Sequence, residues 1–473
     1  MVHDVKRATD AHDAQAGRYA EVMRVAMIAM HGFRVRRAEM LALGMTLPGL
    51  TDRAEALGGL PALGLLTLAG MTPEPWEVSY HEAPGVESGE RFDANGKPVG
   101  AMATLVQAVV REKPTFVAIS ALTASVEDAY RLCEVLRGEM IATVIGGLHA
   151  TACPQEAARF ADAVVVGDGE ATWASVLEDA QAGHMYGIYE PQAPFNLAQS
   201  PMPRYDLLGT KERPRFTVQT QRGCPLACDF CGASRMLGPF REKPAERVAA
   251  ELREIVRVHG SKPVIELADD NTFAGKRPMG DLLQVLADSG ARYFTEVDWR
   301  LGEKPDVLRD LAASGCVQVL VGFESMVHGH AGMGAKRADQ ARVLDACLAM
   351  QDAGVAVIGC FIVGSDGETH ESMAALGELL SEIPLADVQV TMLTAFPGTA
   401  LRTRLEREGR LISDRGWSSC TLFDATFVPD RMTVDELERG FRNVVAMAHG
   451  AGPAGQRAEI RRKVWGNRYG GRA

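Results

Sequence analysis

The chain has 473 residues, 47% of them apolar and 23% charged, and a formal net charge of -11. That length allows two or three domains with separate cores, and the composition excludes a disordered chain. So negative a balance argues against general affinity for nucleic acid or an anionic membrane surface, and no run reaches the ~18 apolar residues of a membrane span.

Residues 1–20 form a polar tail of mixed charge (His3, Asp4, Lys6, Arg7) without the apolar core of a signal peptide. Nine cysteines in so long a chain do not read as a disulfide framework. Cys133, Cys316, Cys347 and Cys360 sit in apolar or helical contexts that suit small buried thiols. A cytoplasmic protein is expected, with peripheral contact to a membrane-dissolved substrate left open.

Residues 21–182 alternate apolar strands with amphipathic helices. Strands are expected at Met23–Met30, Trp76–His81, Phe116–Ser120, Thr143–Ile145 and Ala163–Val166, with a helix such as Val126–Arg137 between them. Short apolar runs of this kind indicate a parallel sheet covered on both faces, a doubly wound Rossmann-like α/β domain. Ligands in such sheets bind beyond the carboxyl ends of the strands. Those ends read Ser120-Ala-Leu-Thr123, Gly146-Gly147-Leu-His149-Ala-Thr151 and Gly167-Asp168-Gly169-Glu170. Paired glycines there allow close approach of a bulky ligand, although glycine turns end many strands.

Residues 183–215 carry five prolines (Pro191, Pro194, Pro201, Pro203, Pro214), which marks a linker and a domain boundary. Next comes Arg-Gly-Cys-Pro-Leu-Ala-Cys-Asp-Phe-Cys-Gly, with Cys224, Cys228 and Cys231 in a Cys-x3-Cys-x2-Cys spacing. Thiolates favour Fe–S clusters or zinc, and three ligands leave one metal position open. A structural zinc site would pair two short Cys/His spacings, and no second pair appears. With Phe230 just before the third cysteine, the loop resembles the cluster-binding signature of the radical S-adenosylmethionine (SAM) superfamily. That resemblance implies a [4Fe-4S] cluster on Cys224, Cys228 and Cys231, SAM on its fourth iron, and the Phe230 backbone close to the adenine. An oxygen-sensitive cluster also requires a reducing compartment.

Residues 216–420 continue the alternation, with strands expected at Thr217–Gln219, Val264–Ala268, Tyr293–Val297, Val317–Gly322, Ala356–Val363 and Asp387–Leu393. Six β/α units without a seventh and eighth suggest a partial (β/α)6 barrel, whose functional groups belong at the strands' carboxyl ends. Asp269 and Asp270 there suit binding of the SAM ammonium, substrate orientation or general-base work, or else an Asx turn capping the next helix. One is expected to face the cavity and the other to cap. Glu324 can accept two hydroxyl hydrogen bonds, which suits ribose, and the resemblance carries SAM contact to Glu324 and Ser325. The segment from Gly359 to Gly364 resembles the family's strand beside the adenine, Gly364 allowing close backbone approach, while Glu368 is expected to cap the following helix. Trp299-Arg300 suits either substrate contact or packing. Gly332-Met-Gly334 lacks the Gly-Lys-Ser/Thr of a phosphate loop. Residues 421–473 hold one amphipathic helix, Val434–His449, and a tail from 451 with six Lys/Arg and one Glu, which suits contact with an anionic substrate or partner or, as is expected, a disordered solvated end.

Placed directly upstream of the cysteine loop, Thr115–Trp173 resembles the cobalamin-binding domain of the B12-dependent radical SAM class. Leu60–Ala69 resembles its first helix region, and Pro203-Arg204-Tyr205-Asp206 a segment the family often carries. Cobalamin contacts are thereby implied for Ser120, Thr123, Gly146, Gly147, Gly167, Gly169 and Glu170, with His149 a loop residue near the nucleotide tail. Arg34, Arg36 and Arg37 suit phosphate or corrin amides, or a solvated basic turn. The Asp-x-His-x-x-Gly motif that supplies a lower cobalt ligand in mutases is missing, and His31 and His149 have the wrong spacing. The class implies an enzyme that uses a cluster and SAM to make a 5′-deoxyadenosyl radical, and methylcobalamin to methylate an unactivated carbon or phosphorus. Oxidative cyclisation, ring contraction, or a cobalamin sensor with a vestigial cluster are the alternatives. Expected partners are a small-molecule substrate and a flavodoxin- or ferredoxin-like electron donor.

Overall fold

The computed structural model describes residues 22–30, 37–48, 50, 60–85, 90–209, 215–226, 228–260, 263–324 and 339–469. The polar tail 1–20, His31, Arg34, Arg36, Ser325 and Gly332–Gly334 lie outside the described residues.

The first sheet contains β1 (Arg24–Ala29), β2 (Glu77–Glu82), β3 (Phe116–Ser120), β4 (Ala142–Gly146), β5 (Ala163–Val165) and β6 (Gly187–Tyr189), all parallel, in the order β2-β1-β3-β4-β5-β6. β1 is apolar along its length because helices cover both faces. Ala26 and Ile28 pack with Val106, Leu132 and Leu136, while Val25 and Met27 pack with Leu65, Trp173 and Val176. The strand order reverses beside β1, the switch point at which open α/β sheets bind ligands.

The sheet runs one strand further than the expected boundary at 182. Gly187–Tyr189 pairs with β5 inside the stretch assigned to the linker, and a three-residue edge strand is too short to show a period of two. Beyond β6 the chain is packed rather than loose around residues 204 and 205. The Arg204 N–H donates to Leu66 O (3.0 Å), and the fully buried Tyr205 donates its hydroxyl to Thr217 O (3.1 Å).

The second sheet begins at β7 (Phe216–Val218). A short antiparallel pair, β8 (Gln221–Arg222) and β9 (Arg241–Glu242), precedes β10 (Val264–Leu267), β11 (Arg292–Val297), β12 (Cys316–Glu324), β13 (Ala356–Val363) and β14 (Asp387–Met392). The six main strands lie in chain order, each parallel to the next, as a partial barrel requires. Val319, Val321 and Phe323 pack against the outer helices, with Leu252, Leu283 and Val343 among their neighbours in one core. Alternation leaves Gln318, Leu320, Gly322 and Glu324 on the opposite face.

The end of the chain departs from expectation. Ala451–Tyr469 is a helix, not a disordered tail. The buried guanidinium of Arg457 donates to Ala448 O and Leu380 O, Val464 packs against Ala356 and Ala386, and the Trp465 indole donates to Val317 O (3.0 Å). A count of charge treats Arg457 as solvated, whereas its stem and head are used internally. Among the described residues no helix is long and apolar enough to cross a membrane.

Candidate active site

The cysteine loop hangs from a neck. Gln221 pairs with Glu242 and Arg222 with Arg241, so β8 and β9 bring the two ends of the loop together. Cys228 is buried, and Cys224 and Cys231 are half-buried. The Leu226 N–H points at Cys224 Sγ (3.5 Å), as does Asn271 Nδ2 (3.8 Å). Amide donors aimed at sulfur favour thiolate over thiol, which fits a cluster ligand. The Phe230 ring packs against the cluster of Leu393, Leu401 and Phe427, and the Leu401 N–H donates to Asp229 O (3.0 Å), so the loop is anchored beyond β14.

The two aspartates after β10 divide differently from the expected cavity-and-cap pair. Asp269 is fully buried and accepts from the Thr220 N–H (2.8 Å) and hydroxyl (2.5 Å), the Gln221 N–H (3.1 Å) and the Thr272 hydroxyl (2.9 Å). It therefore ties β10 to the neck of the cysteine loop rather than capping the next helix, which starts only at Met279. Asp270 is half-buried, and burial followed by the charge of Asp269 pushes its carboxyl up to about 6, against a hydrogen bond from the Gly223 backbone. Asn271 was not singled out from sequence, yet it connects three parts: its amide reaches Cys224, its Oδ1 accepts the Asp298 N–H (3.0 Å), and its carbonyl accepts from Gln221 Nε2. The polar run Asp-Asp-Asn after an apolar strand was the available signal.

Glu324 ends β12 at a register shift, buried and with φ +62. A left-handed glutamate is uncommon and strained, and such positions gather at functional sites. Gly364 has φ +96, and a Cβ there would stand 3.3 Å from Leu437 of the helix Val434–His449. Its close neighbour is thus that leucine. Glu368 is not the helix cap: its carboxylate accepts the Gly364 and Ser365 N–H groups and closes the turn, while Thr369 caps the helix with Ser372. Trp299 is buried under Arg300 and Arg342, with centroid distances of 5.4 and 5.2 Å, a packing role. Arg37 pairs with Asp424 and Glu438, so it is not a solvated turn residue.

Parallel strands bring Ser120, Thr123, Gly146, Gly147, Gly167, Gly169 and Glu170 to one edge of the first sheet. Ser120 and Gly146 end β3 and β4 with small residues at the side where such sheets take ligands, while a Cβ on Gly167 would stand 3.6 Å from Pro191. Gly147 (φ +109) is required by packing, since a Cβ would stand 2.5 Å from Ala121 O. The Gly167 N–H donates to the Thr151 hydroxyl (3.0 Å). His149 corrects its expected place in an open loop: it is fully buried in the helix Leu148–Ala152. Its Nε2 lies 3.4 Å from Glu156 Oε1, and its ring meets Trp417 edge-on at 4.9 Å. Burial lowers its pKa, against the opposing charge of Glu156. Trp417 also donates to Glu156 (2.9 Å), so this cluster belongs to the seam between the domains. Glu170 accepts from Arg222 (2.7 Å), as does Asp168 (2.6 Å). Sequence reasoning quoted Asp168 and Arg222 only within longer runs and did not single out Arg241, Glu156 or Trp417, because nothing local marks their partners.

Residues 49–177 match the B12 binding domain family and residues 218–380 the radical SAM superfamily. An uncharacterized methyltransferase of Pyrococcus horikoshii is 26% identical over 413 residues, 81% of this chain and 86% of that protein. Bacteriochlorophyllide d C-12(1)-methyltransferase of Chlorobaculum tepidum is 24% identical over 333 residues, 69% of this chain and 72% of that protein. The radical SAM methyltransferase TsrM from Kitasatospora setae, solved with cobalamin and a [4Fe-4S] cluster bound, shares the fold at a TM-score of 0.62 and 13% identity, covering 90% of this chain and 89% of that one. The barrel, the cysteine loop and these matches define a radical SAM enzyme. It belongs to the B12-dependent class of that superfamily, with a [4Fe-4S] cluster, SAM and cobalamin as its cofactors.

Proposed function

We propose that this enzyme methylates an unactivated carbon of a small molecule. What supports the reading is the direct bonding of the loop Gly167–Glu170, through Asp168 and Glu170, to the neck of the cysteine loop, an arrangement in which both cofactors would border one space. The C. tepidum relative is named for methylation of a carbon of bacteriochlorophyllide d, which favours carbon over phosphorus as the acceptor.

Cys224, Cys228 and Cys231 would hold the cluster, and Ser120, Thr123, Gly146 and Gly167 would border the corrin. Once bound, the cluster supplies the electron that opens the SAM sulfonium, and the corrin carries the methyl group. The chain's own work is placement and exclusion of water. Asp270, with its carboxyl near 6, is ionised at neutral pH and takes the SAM ammonium. Glu324 accepts the ribose hydroxyls, and Asn271 orients the loop through Cys224. The buried His149, with the half-buried Glu156 and Trp417, closes part of the seam between the halves. Electrons come from a flavodoxin- or ferredoxin-like donor in a reducing cytoplasm.

Anaerobic reconstitution tests this in two stages. Absorbance and EPR spectra should report both a [4Fe-4S] cluster and bound cobalamin, and replacing the three cysteines by alanine should abolish SAM cleavage. With methyl-labelled SAM and a cell-extract metabolite pool, label should enter a product. Deoxyadenosine formed with an unlabelled product would instead indicate cyclisation or ring contraction.

A further inference from the structure

The carboxylates of the loop Gly167-Asp168-Gly169-Glu170 are both spent on the second domain. Asp168 Oδ1 accepts from Arg222 (2.6 Å), and its Oδ2 accepts from Arg241 (2.5 Å) and from the Phe195 N–H (2.8 Å). Glu170 holds the other nitrogen of Arg222 at 2.7 Å. The four side chains are 7–14% exposed. Two guanidinium groups against two carboxylates leave the buried group neutral, the condition under which such a network is tolerated.

Its position sets this network apart. Arg222 and Arg241 face each other in register across β8 and β9, and Arg222 stands two residues before Cys224. An ion pair that only glued the domains together could sit anywhere on their seam. This one grips both strands of the neck from which the three cysteines hang, and it does so with one carboxylate whose own loop ends a strand of the corrin-binding sheet. The charge-assisted bonds on Asp168 fix direction as well as distance.

We propose that Asp168 is a positioning residue that sets the cluster-bearing loop at a defined distance and angle from the corrin-binding sheet. The inference rests on the functional reading above for what each side carries. Two measurements on the full chain test it. In the protein without cofactors, hydrogen exchange of residues 223–240 should be roughly tenfold faster in Asp168→Asn than in the unaltered chain, the response of a local opening equilibrium to lost charge-assisted bonds. Amides of β4 and β5 should stay as protected as before. In the reconstituted holoenzyme, pulsed EPR of the coupling between the reduced cluster and cob(II)alamin should give a narrow distance distribution. Asp168→Asn should broaden it about twofold, and Asp168→Glu should recover most of the sharpness by restoring the charge.

Unchanged loop exchange with an unchanged distribution would overturn the proposal. So would loss of protection spread evenly through the first sheet, which would make Asp168 a plain stabiliser. Failure of even the unaltered chain to show a cob(II)alamin signal would count against the functional reading instead, and the exchange comparison alone would then decide the role of Asp168.

Discussion

Asp269 and Asp270 are adjacent but differ in their surroundings: Asp269 is buried and accepts from Thr220, Gln221 and Thr272, while Asp270 is half-buried and accepts from the Gly223 backbone. Asp269→Ala strands the Thr220 and Gln221 donors in a dry interior, a loss on the order of 3 kcal/mol that denaturant unfolding would register. Asp270→Asn should leave stability within about 1 kcal/mol and weaken SAM binding at least roughly tenfold, as measured by calorimetric titration of the reconstituted protein. Equal effects of the two changes would contradict this division. Glu368 makes a third case. Burial holds its carboxyl up at about 7, against the ordinary 4.5. A group that keeps its proton more tightly when folded costs stability as pH rises from its unfolded to its folded pKa. The unaltered chain should therefore lose up to roughly 3 kcal/mol relative to Glu368→Gln between about pH 4.5 and about pH 7; parallel stability curves would refute it. The carboxylates were legible at this scale, since polar residues ending apolar strands stand out. Their division of labour was not, because Thr220 lies 49 positions from Asp269.

Elements were legible wherever their signals are contiguous. The helices Ala245–His259 and Met279–Ser289 stop at Gly260 and Gly290, both left-handed, and Val434–His449 starts at the capping box of Thr433 and Glu436. Local sequence carries those stops and starts. The last helix gave no such signal, because its anchors are two arginines and a tryptophan that look solvated in sequence. It seats at the amino ends of β12, β13 and the segment before β14, on the face away from the barrel mouth. Arg457→Ala should cost about 2–3 kcal/mol by taking the donors from Ala448 O and Leu380 O. Limited proteolysis should then cut within residues 451–469 while SAM cleavage by the folded protein persists. Resistance to protease in that variant would show that Arg457 does not secure the helix.

At the scale of the whole molecule, the two α/β halves meet through apolar and polar groups alike: Met40 and Leu66 of the first half lie in the core of the second, and a polar cluster holds another part of the seam. Glu156 is the hub, accepting from Trp417 (2.9 Å) and Tyr130 (3.1 Å) and facing His149, while Arg402 lies 4.4 Å from the Trp417 ring. Trp417→Ala removes a large packed ring and one donor at once, a loss of roughly 3 kcal/mol taken entirely from the seam. Scanning calorimetry should show one unfolding transition splitting into two; a single transition at an unchanged temperature would mean that the halves are held elsewhere. Two parallel sheets, the partial barrel and the thiol loop were determined by the sequence itself, because periodicity and cysteine spacing are written in neighbouring residues. Only the tertiary structure decided that Asp269, Asp168 and Glu170 fasten the neck of the cysteine loop. Partners can be as distant as Glu156 and Trp417, 261 positions apart, and no local pattern encodes a meeting made by folding.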